Sequence, residues 1–383
     1  MTKKVIYISW SKLTDRIARD YFVDHLIGNG VEVEFWDIGV FTREPHNEFG
    51  ELDVNYLRVL QSYREYENLV KRKENIDAIY VPLISLHWKV RRVFRILSKY
   101  KCKLILVSWG MSPIATAPMW QRAAIKLAKE PMRFFQMLFE IFCLYNYRKL
   151  GLIKPFDVVF TAGSVLGQGT QFAKKNISLN SCDHEHYIRS KESDNSFDRE
   201  KHAVFLDINL PFQSDFSLTN TKTVNPHDYY GSLERFFTLL EEQYKVKIII
   251  AAHPKTNPNT RVFGKRKIHR LKTAEIVKDA EFVITHHSTS LNYAVFNSKA
   301  CIFIYTNEME ELYPNGRVRA IKSLASYLDA SVYNIDKLPS TDKIVIKQPN
   351  QKRYDNFKYS YLISKETESL SSKDIFLREI NKN

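Results

Sequence analysis

Val246-Lys247-Ile248-Ile249-Ile250-Ala251-Ala252-His253-Pro254-Lys255 is the stretch from which the fold is read. A short, β-branched apolar run closed by a proline is the pattern of a strand covered on both faces rather than on one. Strands of that kind belong to parallel sheets flanked by helices, and such sheets bind ligands beyond the carboxyl ends of their strands. His253 and Lys255 fall at that end, where an imidazole and an ammonium can both meet a phosphate. The next apolar run, Phe282-Val283-Ile284-Thr285, repeats the pattern and delivers His286, His287, Ser288, Thr289 and Ser290 ahead of a helical stretch at 291–296.

Working outward, residues 202–208, 246–252, 282–285 and 301–305 read as strands. Helical periodicity falls between them at 229–244, 273–280 and 291–296. The first half alternates likewise, with strands expected at 5–9, 31–38, 78–83, 104–109 and 157–162 and helices at 13–26, 56–73 and 87–100. Two Rossmann-like α/β halves follow from this alternation. With 383 residues, two domains of ordinary size fit. The expected division is an N-terminal domain at 1–163, a connection at 164–200, a C-terminal domain at 201–345 and an extension at 346–383. The helical stretch near 373–380 in that extension is expected to return toward the first domain.

A helix start after 285 would offer N–H groups to an anion, and Lys272-Thr273 lies between the two strand-end clusters in sequence. His253, Pro254, Lys255, Lys272, Thr273, His286, His287, Ser288, Thr289 and Ser290 are therefore candidate phosphate-binding residues. The ordinary alternatives are histidines satisfied inside the fold and a Ser-Thr-Ser segment acting only as a helix cap. A third cluster, Phe205-Leu206-Asp207 with Asp215 eight residues on, offers carboxylates at a strand end. Asp207 first and Asp215 second could serve as general base or nucleophile, or could cap a loop.

The formal net charge of +14 calls for an anionic partner. No zinc-finger spacing, RNP-like aromatic motif or GxxG clamp accompanies it, so nucleic acid is not expected. Residues 118–150 offer an alternative, since Arg122, Lys126, Lys129 and Arg133 share a helical stripe and precede Phe134, Phe135, Met137, Leu138, Phe139, Ile141, Phe142 and Leu144. Such a segment suits either an anionic membrane surface or an ordinary core helix with solvated lysines, and Pro131 is expected to break or kink it. At well under the ~20 apolar residues of a span, it cannot cross a bilayer. Four scattered cysteines and no secretory leader lead to the expectation of a cytoplasmic protein, peripheral on the inner face of the membrane.

Cys182-Asp183-His184-Glu185-His186 is rich in ligand types but is read as a loop without distant partners, so no metal site is expected. Gly163 to Gly169 lacks the lysine of a P-loop. Asp-x-Asp is absent, so no metal cofactor is expected.

His253-Pro254 followed some thirty residues later by Ser288-Thr289 resembles the HP and S/T motifs of bacterial sialyltransferases and related capsule and lipopolysaccharide transferases, including Kdo transferases. The resemblance covers roughly 204–304. It implies the GT-B fold, two Rossmann-like domains facing a central cleft, with the acceptor on the N-terminal domain and the donor on the C-terminal one. It also implies a glycosyltransferase that takes a nonulosonic acid such as sialic acid or Kdo from a CMP-sugar donor, with an oligosaccharide or lipid-linked glycan as acceptor. His253 and Ser288-Thr289 would then contact the nucleotide phosphate. Asp207 sits where those families carry an acidic motif, without their Asp/Glu-Asp/Glu-Gly form. UDP- or GDP-sugar donors, polyol-phosphate transfer and non-catalytic glycan binding are the rival readings.

Overall fold

The computed structural model describes residues 3–42, 52–109, 123–124, 127–128, 130–165, 170–192, 200–213, 222–253, 256, 261–338 and 343–382. Arg122, Lys126, Lys129, Asp215, Pro254 and Lys255 lie outside the described residues. The chain divides into two compact units, one formed by 1–111, 118–182 and 363–383, the other by 112–117 and 183–362.

In the first unit the strands are β1 (Lys4–Ser9), β2 (Glu32–Asp37), β3 (Leu57–Val59), β4 (Ile79–Pro82), β5 (Lys103–Ser108), β6 (Val158–Ala162) and β7 (Asn176–Leu179). They pair in parallel in the order β3-β2-β1-β4-β5-β6-β7. Period-two alternation sends Ile6, Ile8, Trp36, Tyr80, Leu104 and Val159 into one buried cluster and Val5, Tyr7, Phe35, Val81, Ile105 and Phe160 into another. Both faces are covered, which is why the strands read as continuous apolar runs.

Helices α1 (Asp15–Asp20) and α2 (Val23–Gly28) cover one face; α3 (Tyr63–Val70) and α4 (Arg91–Lys99) cover the other. The single helix expected at 13–26 divides because Phe22 takes a left-handed conformation, φ 62°, with its ring against Trp109 and Phe376. The stretch 56–73 is not one helix either. Leu57–Val59 pairs with β2, and α3 begins only after Ser62, whose side chain accepts the Glu65 N–H at 3.2 Å. Among its described residues, the expected connection at 164–200 contains β7 and the whole of α6 (Cys182–Glu192).

Pro131 marks a break in the stretch 118–150, as expected: residues 123–124 and 127–128 are helical, Glu130 is non-helical at φ −142°, ψ 66°, and a new helix starts at the proline. It stands at the first turn of α5 (Pro131–Lys149), where its missing N–H costs nothing.

The second unit is built from β8 (His202–Leu206), β9 (Lys247–Ala252), β10 (Ile268–Arg270), β11 (Phe282–Thr285), β12 (Ala300–Tyr305) and β13 (Ser331–Asn334), parallel in the order β10-β9-β8-β11-β12-β13. Its helices are α7 (Pro226–Tyr244), α8 (Thr273–Lys278), α9 (Leu291–Phe296), α10 (Asn307–Leu312), α11 (Arg319–Leu328) and α12 (Gln351–Phe357). Asn225 caps α7 by accepting the His227 N–H at 2.9 Å, and the helix buries Tyr229, Leu233, Phe236, Phe237 and Leu240.

A last helix, α13 (Ser372–Lys382), belongs to the first unit. Ile375, Phe376 and Ile380 join the cluster beneath α1 and α2. A buried amide fastens it: Asn180 Nδ2 donates to Thr367 O at 2.7 Å and Leu370 O at 2.9 Å, while Ser372 Oγ donates to Asn180 O at 3.1 Å.

Candidate functional site

In the second sheet the strand order reverses between β8 and β11, and a crevice for ligands forms outside the carboxyl ends at such a reversal. Leu206 lies in register with Thr285 of β11 on one side and Ala251 of β9 on the other. The residues that follow, Asp207, His253 and His286, thus emerge side by side on one edge. Their strands span about 10 Å at the usual ~4.8 Å spacing.

Asp207 is only 4% exposed. One carboxylate oxygen accepts the Asn209 N–H at 2.8 Å, an Asx-type turn with Asn209 at φ 50°; the other accepts Thr256 Oγ1 at 3.0 Å and the His253 N–H at 3.4 Å. Burial raises its pKa against the pull of these bonds. The carboxylate thus ties His253 and Thr256 to the end of β8. A carboxylate that accepts three protein hydrogens inside the fold is poorly placed to take a proton from an acceptor hydroxyl.

His286 is not a ligand-facing residue. It is fully buried, Nδ1 lies 2.6 Å from Ile304 O and therefore carries the hydrogen, and Nε2 accepts from Tyr229 Oη at 2.8 Å. Desolvation, with His287 and Arg317 nearby, lowers its pKa to about 3. The strand end left it a core position because its β11 neighbours lie between two covered faces.

His287, the next residue, is partly exposed and faces Arg317 Nη1 at 3.5 Å across its Nε2. Burial and the Arg317 charge bring its pKa to about 4, so the ring is neutral near pH 7. Its Nδ1 is buried and has no hydrogen-bond partner among the described residues. Arg317 Nη2 also donates to Gln213 Oε1. Ser288 Oγ accepts the Ser290 N–H at 3.2 Å, which leaves its own hydrogen to donate outward; Thr289 is exposed and Ser290 partly so. Only six residues long, α9 contributes little dipole, so the Ser288 to Ser290 loop acts through hydroxyls and local N–H groups.

Lys272 and Thr273 do not join this group. They follow β10, which pairs outside β9, so about three strand spacings, roughly 14 Å, separate them from the end of β11. Sequence order put them between the two clusters; the crossover from β10 to β11 puts them at the far edge.

Arg317 and Gln213 escaped the sequence reading. Arg317 lies in a π-helical turn, Pro314–Val318, between α10 and α11. The visible signal was the Pro314 to Gly316 turn chemistry immediately before an arginine; wide turns of this kind recur at functional sites. Cys182 to His186 proves helical rather than looped. Asp183 accepts from Asn292 Nδ2 at 2.7 Å and Tyr293 Oη at 3.0 Å, and His186 Nδ1 lies 2.9 Å from that same hydroxyl. These polar groups dock α6 on α9. Among the described residues no group of three or more His, Cys, Asp or Glu side chains is placed to hold a metal ion.

No protein-family model matches the chain, and no curated protein matches it. Solved structures do. The chain is similar to CalG4, the calicheamicin glycosyltransferase, with TM-score 0.53 at 9% identity over 100% of this chain and 98% of that one. It is similar also to the glycotransferase of kitacinnamycin, with TM-score 0.52 at 8% identity over 100% and 99%. The fold is therefore the two-unit α/β fold of GT-B glycosyltransferases. At such identity the likeness carries the fold alone, and nothing in it is particular to sialyltransferases or Kdo transferases.

Proposed function

We propose that this protein is a glycosyltransferase whose second unit holds the phosphate of a nucleotide-sugar donor at the carboxyl ends of β8 and β11. The observation that carries this reading is the meeting there of a guanidinium, a neutral imidazole with a ring nitrogen unpartnered among the described residues, and a serine hydroxyl, supplied by Arg317, His287 and Ser288. A phosphate is an acceptor-only, anionic group, and Arg317 and Ser288 are donors suited to it. His253, braced by Asp207, supplies a further imidazole one strand over.

The HP and S/T resemblance favours CMP as the carrier and a nonulosonic acid such as sialic acid or Kdo as the sugar. A CMP-sugar has one phosphate, which a single arginine and a few hydrogen-bond donors can balance without a metal. Thermal shift with CMP, UDP and GDP tests the reading: stabilisation by CMP above the others supports it, and stabilisation by UDP or GDP alone refutes the carrier while retaining the transferase. His253→Ala should weaken the bound nucleotide by about 1.5–3 kcal/mol, the worth of a charge-assisted hydrogen bond.

The acceptor in this reading is a glycan on a lipid, and α5 is the surface that meets the membrane. Phe135, Leu138, Phe139, Phe142 and Tyr145 follow helical spacing and are all well exposed, Phe142 at 62%. Basic residues bracket them, Arg133 in the first turn and Arg148 and Lys149 in the last. An aromatic stripe between cations fits the interface of an anionic leaflet. Arg133 also pairs with Glu130 at 3.0 Å, so its pull on lipid is shared. No described helix is long and apolar enough to cross a membrane.

A further inference from the structure

The first sheet has its own reversal of strand order, between β1 and β4. Its crevice holds chemistry that the donor site does not use. Trp10 follows β1 directly and His87 follows β4 by five residues; their ring centroids lie 5.2 Å apart with planes inclined by 42°. Both side chains keep part of their surface exposed.

The mounting of Trp10 is tight. Ser9 is buried and its hydroxyl accepts the Ser11 N–H at 3.0 Å, which folds the chain around Trp10. On the neighbouring strand end, Gly39 comes so close that an added Cβ would stand 2.7 Å from Trp10 O. The indole is also packed against the core cluster below the sheet. His87 is held by the adjoining turn, where Trp88 stacks under the Arg91 guanidinium at 3.8 Å and meets Tyr147 of α5 at 5.6 Å.

We propose that Trp10 and His87 form a saccharide subsite, in which a sugar ring lies on the indole and one of its hydroxyls donates to the His87 imidazole. A flat aromatic face beside one well-placed polar group is how carbohydrate-sized ligands are oriented in largely apolar sites. Burial and Lys89 push the His87 pKa below its ordinary value while Glu140 pulls it back, so the ring is neutral near pH 7 and can accept a hydroxyl hydrogen. Glu140 lies on α5, one turn before Leu144, which packs on the first unit's core. The membrane-facing helix therefore runs beside the subsite, and the sugar can be the head of an amphiphile lying along it. This proposal rests on the glycosyltransferase reading for its meaning but not for its test.

Saturation-transfer NMR on the full chain would use methyl and dodecyl β-glycosides of glucose, galactose and N-acetylglucosamine, the dodecyl forms below micelle formation. Ring-proton saturation is expected with at least one sugar, reduced on the order of tenfold by Trp10→Ala and about fivefold by His87→Gln, and largely kept by Trp10→Phe. Should Trp10→Ala fail to fold, His87→Gln and Trp10→Phe carry the comparison. Preference for the dodecyl form supports the subsite with a lipid-borne sugar, and equal binding of the methyl form supports it with a soluble glycan. No saturation in wild type, or saturation indifferent to both variants, overturns it. Nucleotide thermal shift on the same samples separates the two readings: binding of nucleotide without glycoside sinks the subsite alone, and glycoside without nucleotide sinks the donor site alone.

Discussion

Acidification should destabilise the second unit through His286. The ring is buried and neutral, with a pKa of about 3, against about 6.5 in an unfolded chain. Between those values the unfolded state binds a proton that the folded state refuses, so stability rises with pH. The contribution is complete above pH 6.5 and is lost progressively as pH falls toward 3. At pH 5 the loss is roughly 2 kcal/mol, from the ratio of the two protonation equilibria at 1.36 kcal/mol per unit. For a unit of this size that is about 4–8 °C in Tm. His287 adds to it in the same direction, its pKa lowered to about 4 by burial and Arg317. Urea unfolding at pH 7.5 and pH 5 would be compared between wild type and His286→Phe combined with Tyr229→Phe, which removes the titrating ring without orphaning the Tyr229 hydroxyl. The paired variant should be less stable at pH 7.5 yet lose about 2 kcal/mol less on acidification. Equal losses in both proteins would refute the assignment of His286 as a buried, neutral brace.

Three further outcomes follow from the same geometry. Asp207→Asn turns an amide N–H toward either the Asn209 N–H or the His253 and Thr256 donors, and should cost about 1–3 kcal/mol of stability by denaturant melt; intact stability with turnover lowered 10²-fold or more would instead make Asp207 the base. Arg317→Met should weaken nucleotide binding by about 10- to 100-fold in calorimetry, with Arg317→Lys between, and unchanged affinity would remove Arg317 from the site. Phe139→Ser with Phe142→Ser should reduce cosedimentation with anionic liposomes while leaving Tm within about 1 °C, since both rings are exposed; undiminished cosedimentation would leave α5 for another partner.

Much of the fold was legible because both sheets are parallel and doubly covered. Runs such as 248–252 and 282–284 are apolar on every residue, and that pattern bounded by turn residues admits few alternatives. Short edge strands were not legible. β3, β10 and β13 have only three or four residues each, are partly exposed, and owe their existence to the neighbour they pair with. Phe22 likewise gave no warning of its left-handed backbone, since the aromatic contacts that hold it come from residues 87 and 354 positions away.

The site was legible by strand ends and illegible by depth. His253, His286 and His287 are one residue type within a stretch of 35 positions, and periodicity treats them alike. Their roles separate only through what surrounds each ring. His286 finds a carbonyl and a tyrosine hydroxyl at hydrogen-bonding distance on opposite sides and is thereby spent. His287, one residue on and partly exposed, keeps a buried nitrogen without a partner among the described residues and an arginine beside the other. That arginine comes from a turn 30 positions later, and no local pattern could have aimed it there. A phosphate at this edge would thus be recognised by the residue just beyond the buried one, and the buried one would fix where that residue stands. Removing Tyr229 alone tests this division: Tyr229→Phe should cost about 1–3 kcal/mol by leaving His286 Nε2 unsatisfied, and should weaken nucleotide binding only as far as the His287 loop loosens.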